Sequence, residues 1–238
     1  MRVLKGYAAD PAADRERTAS LLASAGDGTP GIRVWTPPRQ VAFGRRDARE
    51  REFDRAKQIA EAKGFPSIQR DVGGRAVAYT GRTLAFAHAV PVADDDRSIA
   101  DRYELTTEVV LAALRGLGAG VAAGEPPAAF CPGDHSVRVA DGGKISGLAQ
   151  RVRADAALIA GCVVVRSDDA RAIAGITAPV YDALAVPFDP NTVGSVAAAG
   201  GPEDLQRVAL ALETAFVDGP WSDGTGRVER VGDGEPLR

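Results

Sequence analysis

Apolar positions recur along this chain in two rhythms. Three- and four-residue spacing predicts helices over residues 14–25, closed by Gly26-Asp27-Gly28, and over 47–63. In the second, Phe53, Ala56, Ile59 and Ala62 fall at three-residue intervals and Gly64 stops the run. The longest such pattern, 99–117, sets Leu105, Val109, Ala112 and Leu117 near one face. Ser167-Asp168 reads as the cap of a helix reaching 184, and 203–216 forms a last helix. Short apolar runs between turn residues predict strands at 31–35, 40–43, 67–70, 75–79 and 83–90, the last two joined by Thr80-Gly81-Arg82. Three more, 136–140, 144–152 and 156–165, form a meander. Glycine and charge dominate from Asp218 onward, which predicts a domain over 1–217 and a frayed polar tail over 218–238.

Strands joined by hairpins and flanked by helices, without regular strand–helix–strand alternation, indicate an α+β fold with a mainly antiparallel or mixed sheet. A chain of 238 residues can bury a sizeable core as one domain. A formal net charge of -3 argues against nucleic acid as a partner. The longest apolar run, 156–165, is broken by Gly161 and falls far short of the roughly 20 residues a membrane span needs. Asp10 and a charged segment come too early for a signal peptide, and two scattered cysteines make no disulfide framework. The expected location is the cytoplasm, with reduced thiols. Two histidines and two cysteines also make no metal centre expected.

Two strings carry candidate chemistry. In Arg70-Asp71-Val72-Gly73-Gly74-Arg75-Ala76-Val77, adjacent glycines let backbone amides approach an anion, and the arginines can add charged contacts. Taken alone, the string reads first as a glycine turn between strands with solvated arginines. In Lys144-Ile145-Ser146-Gly147-Leu148-Ala149-Gln150, a lysine follows the turn Asp141-Gly142-Gly143. It is either an exposed hairpin residue or an inward point charge for a carboxylate or phosphate, with small Ser146 and Gly147 leaving room for a ligand. Cys131, with His135 four residues on, is either an acyl-accepting thiol or a small buried residue. Cys162 and His88 lie inside apolar strands and read as core.

Together with Phe43-Gly44-Arg45-Arg46-Asp47, these strings resemble the motifs of the biotin/lipoate protein ligase superfamily, most closely the lipoate–protein ligase A family. The resemblance spans residues 31–165 and implies a biotin/lipoate-ligase-like catalytic domain that attaches a lipoyl group, through lipoyl-AMP, to a lysine of a lipoyl-carrier domain. It places Lys144 at the acyl carbonyl or activated phosphate. Arg45, Arg70, Gly73, Gly74, Arg75, Ala76, Ser146 and Gly147 line the lipoyl and adenylate site. The implied cofactors are ATP and Mg²⁺. The implied partners are lipoyl domains of 2-oxoacid dehydrogenases or the glycine cleavage H protein, with an accessory ligase subunit standing in for a further C-terminal domain. This chain departs from the motifs at Gln69, where an arginine is usual, and at Ala160-Gly161, where His-Gly is usual. Related octanoyltransferases take the acyl group from acyl carrier protein onto a loop cysteine, a role that falls to Cys131 here and needs no cofactor. A lipoyl-binding accessory module without catalysis is the third alternative. The glycine-arginine loop of biotin ligases is missing.

Overall fold

The computed structural model describes residues 1–6, 11–70, 74–92, 97–222 and 224–230. Eleven strands and five α-helices are assigned among them: β1 (Arg2–Lys5), α1 (Pro11–Gly26), β2 (Gly31–Trp35), β3 (Gln40–Phe43), α2 (Phe53–Ala62), β4 (Ser67–Gln69), β5 (Val77–Tyr79), β6 (Leu84–Pro91), α3 (Ile99–Gly116), β7 (Val121–Ala123), β8 (Ser136–Val139), β9 (Lys144–Val152), β10 (Ala156–Val163), α4 (Ser167–Ala183), α5 (Leu205–Val217) and β11 (Arg227–Arg230). Eight strands form a mixed sheet in the order β11-β1-β2-β6-β10-β9-β8-β7, and β4-β3-β5 form a second, smaller sheet. The expected α+β class with a mixed sheet holds. None of the helices among the described residues is long and apolar enough to cross a membrane.

Three apolar clusters fix the layers. Ile32, Val34, Phe86 and Val163 on one face of the large sheet meet Leu111 and Leu114 of α3 and Leu212 and Phe216 of α5. On the opposite face, Leu21, Leu22 and Ala25 of α1 press on Ala85, Ala87 and Ala89 of β6; the small side chains let the helix sit close. The small sheet buries Val41, Phe43 and Val77 against Ala56 and Ala60 of α2 and Ile173, Ile176 and Val180 of α4.

Several expectations change in physical detail. The turn Thr80-Gly81-Arg82 is no hairpin: β5 pairs with β3, whereas β6 pairs with β2 and β10, so the chain changes sheets there. The helix expected over 47–63 is broken, with a single 3-10 turn at Asp47–Arg49 before α2. Asp47 is buried and its carboxylate accepts the Gly44 amide, which ties this turn back to β3. The α4 N-cap is Arg166, and its side chain makes no capping hydrogen bond to the first turn. Asp168 pairs instead with Arg166 and Arg82. The segment expected as a frayed tail contributes β11, parallel to β1, with Arg2 bonding Glu229 at 2.8 Å.

His88, expected in the core, is fully buried on β6 between Phe216 and Trp221, with ring centroids 4.8 and 4.7 Å away. Neither ring nitrogen has a hydrogen-bond partner, and burial pushes its pKa down to about 3. The unfolded chain therefore binds a proton that the folded chain refuses between about pH 6.5 and about 3. Stability is fully present above that window and falls with acidification, by about 2 kcal/mol at pH 5. Melting temperatures measured from pH 7 to pH 5 should fall more steeply for the natural protein than for His88→Leu. Parallel curves would exclude His88 as the cause.

Candidate functional site

Lys144 opens β9 and is not an exposed hairpin residue: it is fully buried. The turn before it needs glycine, because a Cβ on Gly143 would lie 2.6 Å from the Gly194 amide nitrogen. That close approach lets the Lys144 carbonyl accept the Gly194 amide at 2.9 Å and brings residues 192–194 beside the strand. Gly147 makes space for the side chain, since a Cβ there would stand 2.9 Å from Lys144 Cε and 3.1 Å from Nζ. Burying an ammonium demands compensation. Lys144 Nζ donates to Glu125 Oε1 at 3.1 Å, to Glu125 Oε2 at 2.9 Å and to the Cys131 carbonyl at 2.8 Å.

Cys131 stands on the loop between β7 and β8, with φ of 41°, a left-handed conformation that is costly for a side-chain-bearing residue. Neighbouring contacts hold it there. Its amide donates to Tyr181 Oη of α4 at 2.7 Å, and that hydroxyl donates to the Ala76 carbonyl at 2.8 Å. An Arg70 guanidinium nitrogen donates to Cys131 Sγ at 3.4 Å and to the Arg75 carbonyl at 2.6 Å. Burial alone would push the thiol up. The Arg70 charge, the Arg75 amide and the Lys144 ammonium outweigh it and bring the thiol below its usual value. Burial holds Tyr181 well above the ordinary phenol value, so its hydroxyl stays a donor.

Cys131 and Lys144 share a cleft of about 170 Å³ with Arg46, Gly74, His135 and Ala149. The His135 ring, also on the cleft wall, stacks on Tyr103 of α3, with centroids 4.1 Å apart and planes within 5°. Ala149 of β9, on the cleft wall, lies directly opposite Ala160 of β10, and both are half-buried.

The other sequence-derived site residues are distributed differently. Gly74 lines the cleft, and its carbonyl approaches Gly44 so closely that a Cβ on Gly44 would collide with it. Gly73 lies outside the described residues. Arg75 turns its guanidinium to Glu50 at 2.6 Å and Asp47 at 3.4 Å, so it braces the loop. Ala76 is buried, with its carbonyl on Tyr181. Ser146 is buried with an unpartnered hydroxyl and is not on the cleft wall, where Ser136 stands instead. Arg45 is exposed beside the cleft, whereas Arg46 lines it. Sequence reasoning missed Glu125, Tyr103 and Tyr181. Glu125 did leave a signal, as the lone charge between Arg115 and Asp134.

Residues 10–216 match the family described as the lipoyl protein ligase A/B catalytic domain. Two octanoyl-[GcvH]:protein N-octanoyltransferases are among its curated relatives. That of Oceanobacillus iheyensis is 28% identical over 134 residues, 56% of this chain and 47% of the relative. That of Geobacillus kaustophilus is 30% identical over 127 residues, 53% of this chain and 44% of the relative. The chain spans about half the length of the curated relatives it matches. Among solved structures, lipoate-protein ligase A bound with ATP superposes with a TM-score of 0.75 at 21% identity, over 98% of this chain and 89% of that one. A bi-partite lipoate protein ligase system from Thermoplasma acidophilum gives 0.69 at 19% identity, over 98% and 87%. Both likenesses speak to the fold, which is the one the motifs implied.

Proposed function

Because the chain belongs to the lipoyl protein ligase A/B catalytic domain family, we propose that it is an acyltransferase of protein lipoylation that works through a Cys131 thioester. One observation carries the reading: the Cys131 thiol faces a cleft with Arg70 bonded to its sulfur and its acidity raised by surrounding positive charge. A thiolate attacks the acyl carbonyl of an octanoylated carrier, either an octanoyl-lysine amide of glycine cleavage H protein or an octanoyl thioester of acyl carrier protein. The C–S bond to Cys131 forms, the donor's C–N or C–S bond breaks, and the donor amine or thiol leaves with a proton. A lysine amine of the acceptor lipoyl domain then attacks the thioester and frees the thiol. Lys144 supplies positive charge where the carbonyl oxygen becomes anionic, once that oxygen replaces one of its present acceptors. Leu148 and Ala149 on the cleft wall offer the aliphatic chain an apolar surface.

The ATP-dependent ligase is the second reading, favoured by Arg45 and Arg46, whose guanidiniums have no ion pair among the described residues. They suit a phosphate, with Arg46 on the cleft wall. ATP would supply the activation of free lipoate, and Lys144 would face the activated carboxyl.

Intact-mass spectrometry separates the readings. The protein is incubated with octanoylated H protein, with octanoyl-acyl carrier protein, or with lipoate, ATP and Mg²⁺, and then given an apo lipoyl domain. The transferase reading expects a hydroxylamine-labile octanoyl adduct on Cys131 and a modified lipoyl domain from an octanoyl donor. A modified domain from lipoate and ATP alone overturns it in favour of the ligase. No modification from any donor, with lipoate still bound by calorimetry, overturns both in favour of an accessory module.

A further inference from the structure

The contacts of Lys144 leave the resting ammonium no free proton. Lysine has three N–H donors, and here they face both oxygens of Glu125 and the carbonyl of Cys131. Lys144 therefore touches the backbone of the nucleophile's residue, and its charge is answered by a carboxylate that sequence motifs do not mark. Glu125 follows Gly124, whose φ of 129° turns the chain at the end of β7, and it precedes Pro126-Pro127, which stiffens the segment leading to Cys131. Its side chain is 21% exposed, on the rim of the buried ammonium.

We propose that Glu125 is the positioning residue of this cleft. Its carboxylate pins the Lys144 ammonium against the Cys131 carbonyl and balances that charge at the sulfur, until an acyl oxygen takes the place of one carboxylate oxygen. The inference rests on Cys131 being the acyl acceptor. The remaining titratable groups coupled to the thiol are Arg70 just after β4, Tyr79 of β5, Tyr103 of α3, Cys162 of β10 and Tyr181 of α4. Among these, Arg70 is the standing cation, so Glu125 decides whether the sulfur meets one unbalanced positive charge or two.

Glu125→Gln keeps the shape of the side chain and deletes its charge. The pH dependence of Cys131 alkylation by iodoacetamide, with Cys162→Ala as the background, reads the thiol directly. In Glu125→Gln the midpoint should move down by about one pH unit, because the Lys144 charge is no longer offset. A loop that had merely lost its structure would expose the thiol and move the midpoint up, toward about 8.5. A midpoint that stays put or rises overturns the proposal. Acyl-transfer rates add a second readout: Glu125→Gln should lose about tenfold or more in a natural Lys144 background and nothing further in Lys144→Gln. Equal losses in both backgrounds overturn action through Lys144. The alkylation midpoint reads charge and not turnover, so its result stands even if no octanoyl adduct forms on Cys131, which would instead sink the acyl-acceptor reading.

Discussion

Cys131→Ser is expected to lower octanoyl transfer by about 10³-fold or more, with the melting temperature within about 2 °C of the natural protein. Serine keeps the size and the backbone contacts that hold this residue at positive φ, namely its amide on Tyr181 and its carbonyl on Lys144. What it loses is a nucleophile that can ionise. The cations at hand, Arg70 and Lys144, lower a thiol that starts near 9. They cannot bring an alcohol into the same range, and among the described residues no base is hydrogen-bonded to this side chain to activate one. The loss amounts to about 4 kcal/mol in the barrier. Transfer from octanoylated H protein to a lipoyl domain, followed by mass spectrometry, checks this. A serine variant within tenfold of the natural rate would show that the acyl group never rests on this residue. The ligase reading expects that outcome with lipoate and ATP, so the same variant tested with both donor sets distinguishes the two chemistries.

The parts of this architecture that lie close in sequence were legible in it. Strands 31–35, 40–43 and 144–152 coincide with β2, β3 and β9 because their apolar runs end on glycine, proline or charge, and local rhythm decides their limits. Sheet membership was not legible. β5 and β6 are separated by four residues yet pair with different partners, a choice made by the packing of Val77 against α2 and α4 and of Phe86 against α5. β11 is four residues long and finds its one sheet neighbour among the described residues in β1, at the other end of the chain. The site divides along the same line. Cys131, Lys144 and Gly74 announced themselves through their neighbours in the motifs. The residues that give them their chemistry did not: Glu125 is 19 positions from the ammonium it holds, and Tyr181 is 50 from the amide it accepts. Arg75 illustrates the reverse. It sits inside a motif, but its guanidinium is spent on Asp47 and Glu50, as only the folded turn at Asp47–Arg49 could reveal.

Lys144→Met is expected to reduce transfer by about 10²- to 10³-fold, the loss typical of removing a preorganised charge from a developing oxyanion. Methionine fills the buried channel left by the lysine stem, so packing is largely kept, but both Glu125 oxygens lose their cation. That stranded carboxylate should destabilise the fold by about 1–3 kcal/mol, visible as a lower melting temperature. A rate loss could therefore be blamed on a loosened loop. Gly147→Ala removes that ambiguity because it changes no charge. Its methyl group would stand 2.9 Å from Lys144 Cε, and the strand backbone cannot retreat, because Gly147 is held between Cys162 of β10 and Ser136 of β8. Lys144 must swing away, lengthening its bonds to Glu125 and to the Cys131 carbonyl. The expected result is a loss of about tenfold or more in transfer. Glu125 keeps a cation nearby, so the melting temperature should fall less than in Lys144→Met. Natural transfer rates in Gly147→Ala would mean that the ammonium works from another position than the one its contacts define. Graded loss, from displacement to deletion, ties catalysis to where this charge sits as well as to its presence.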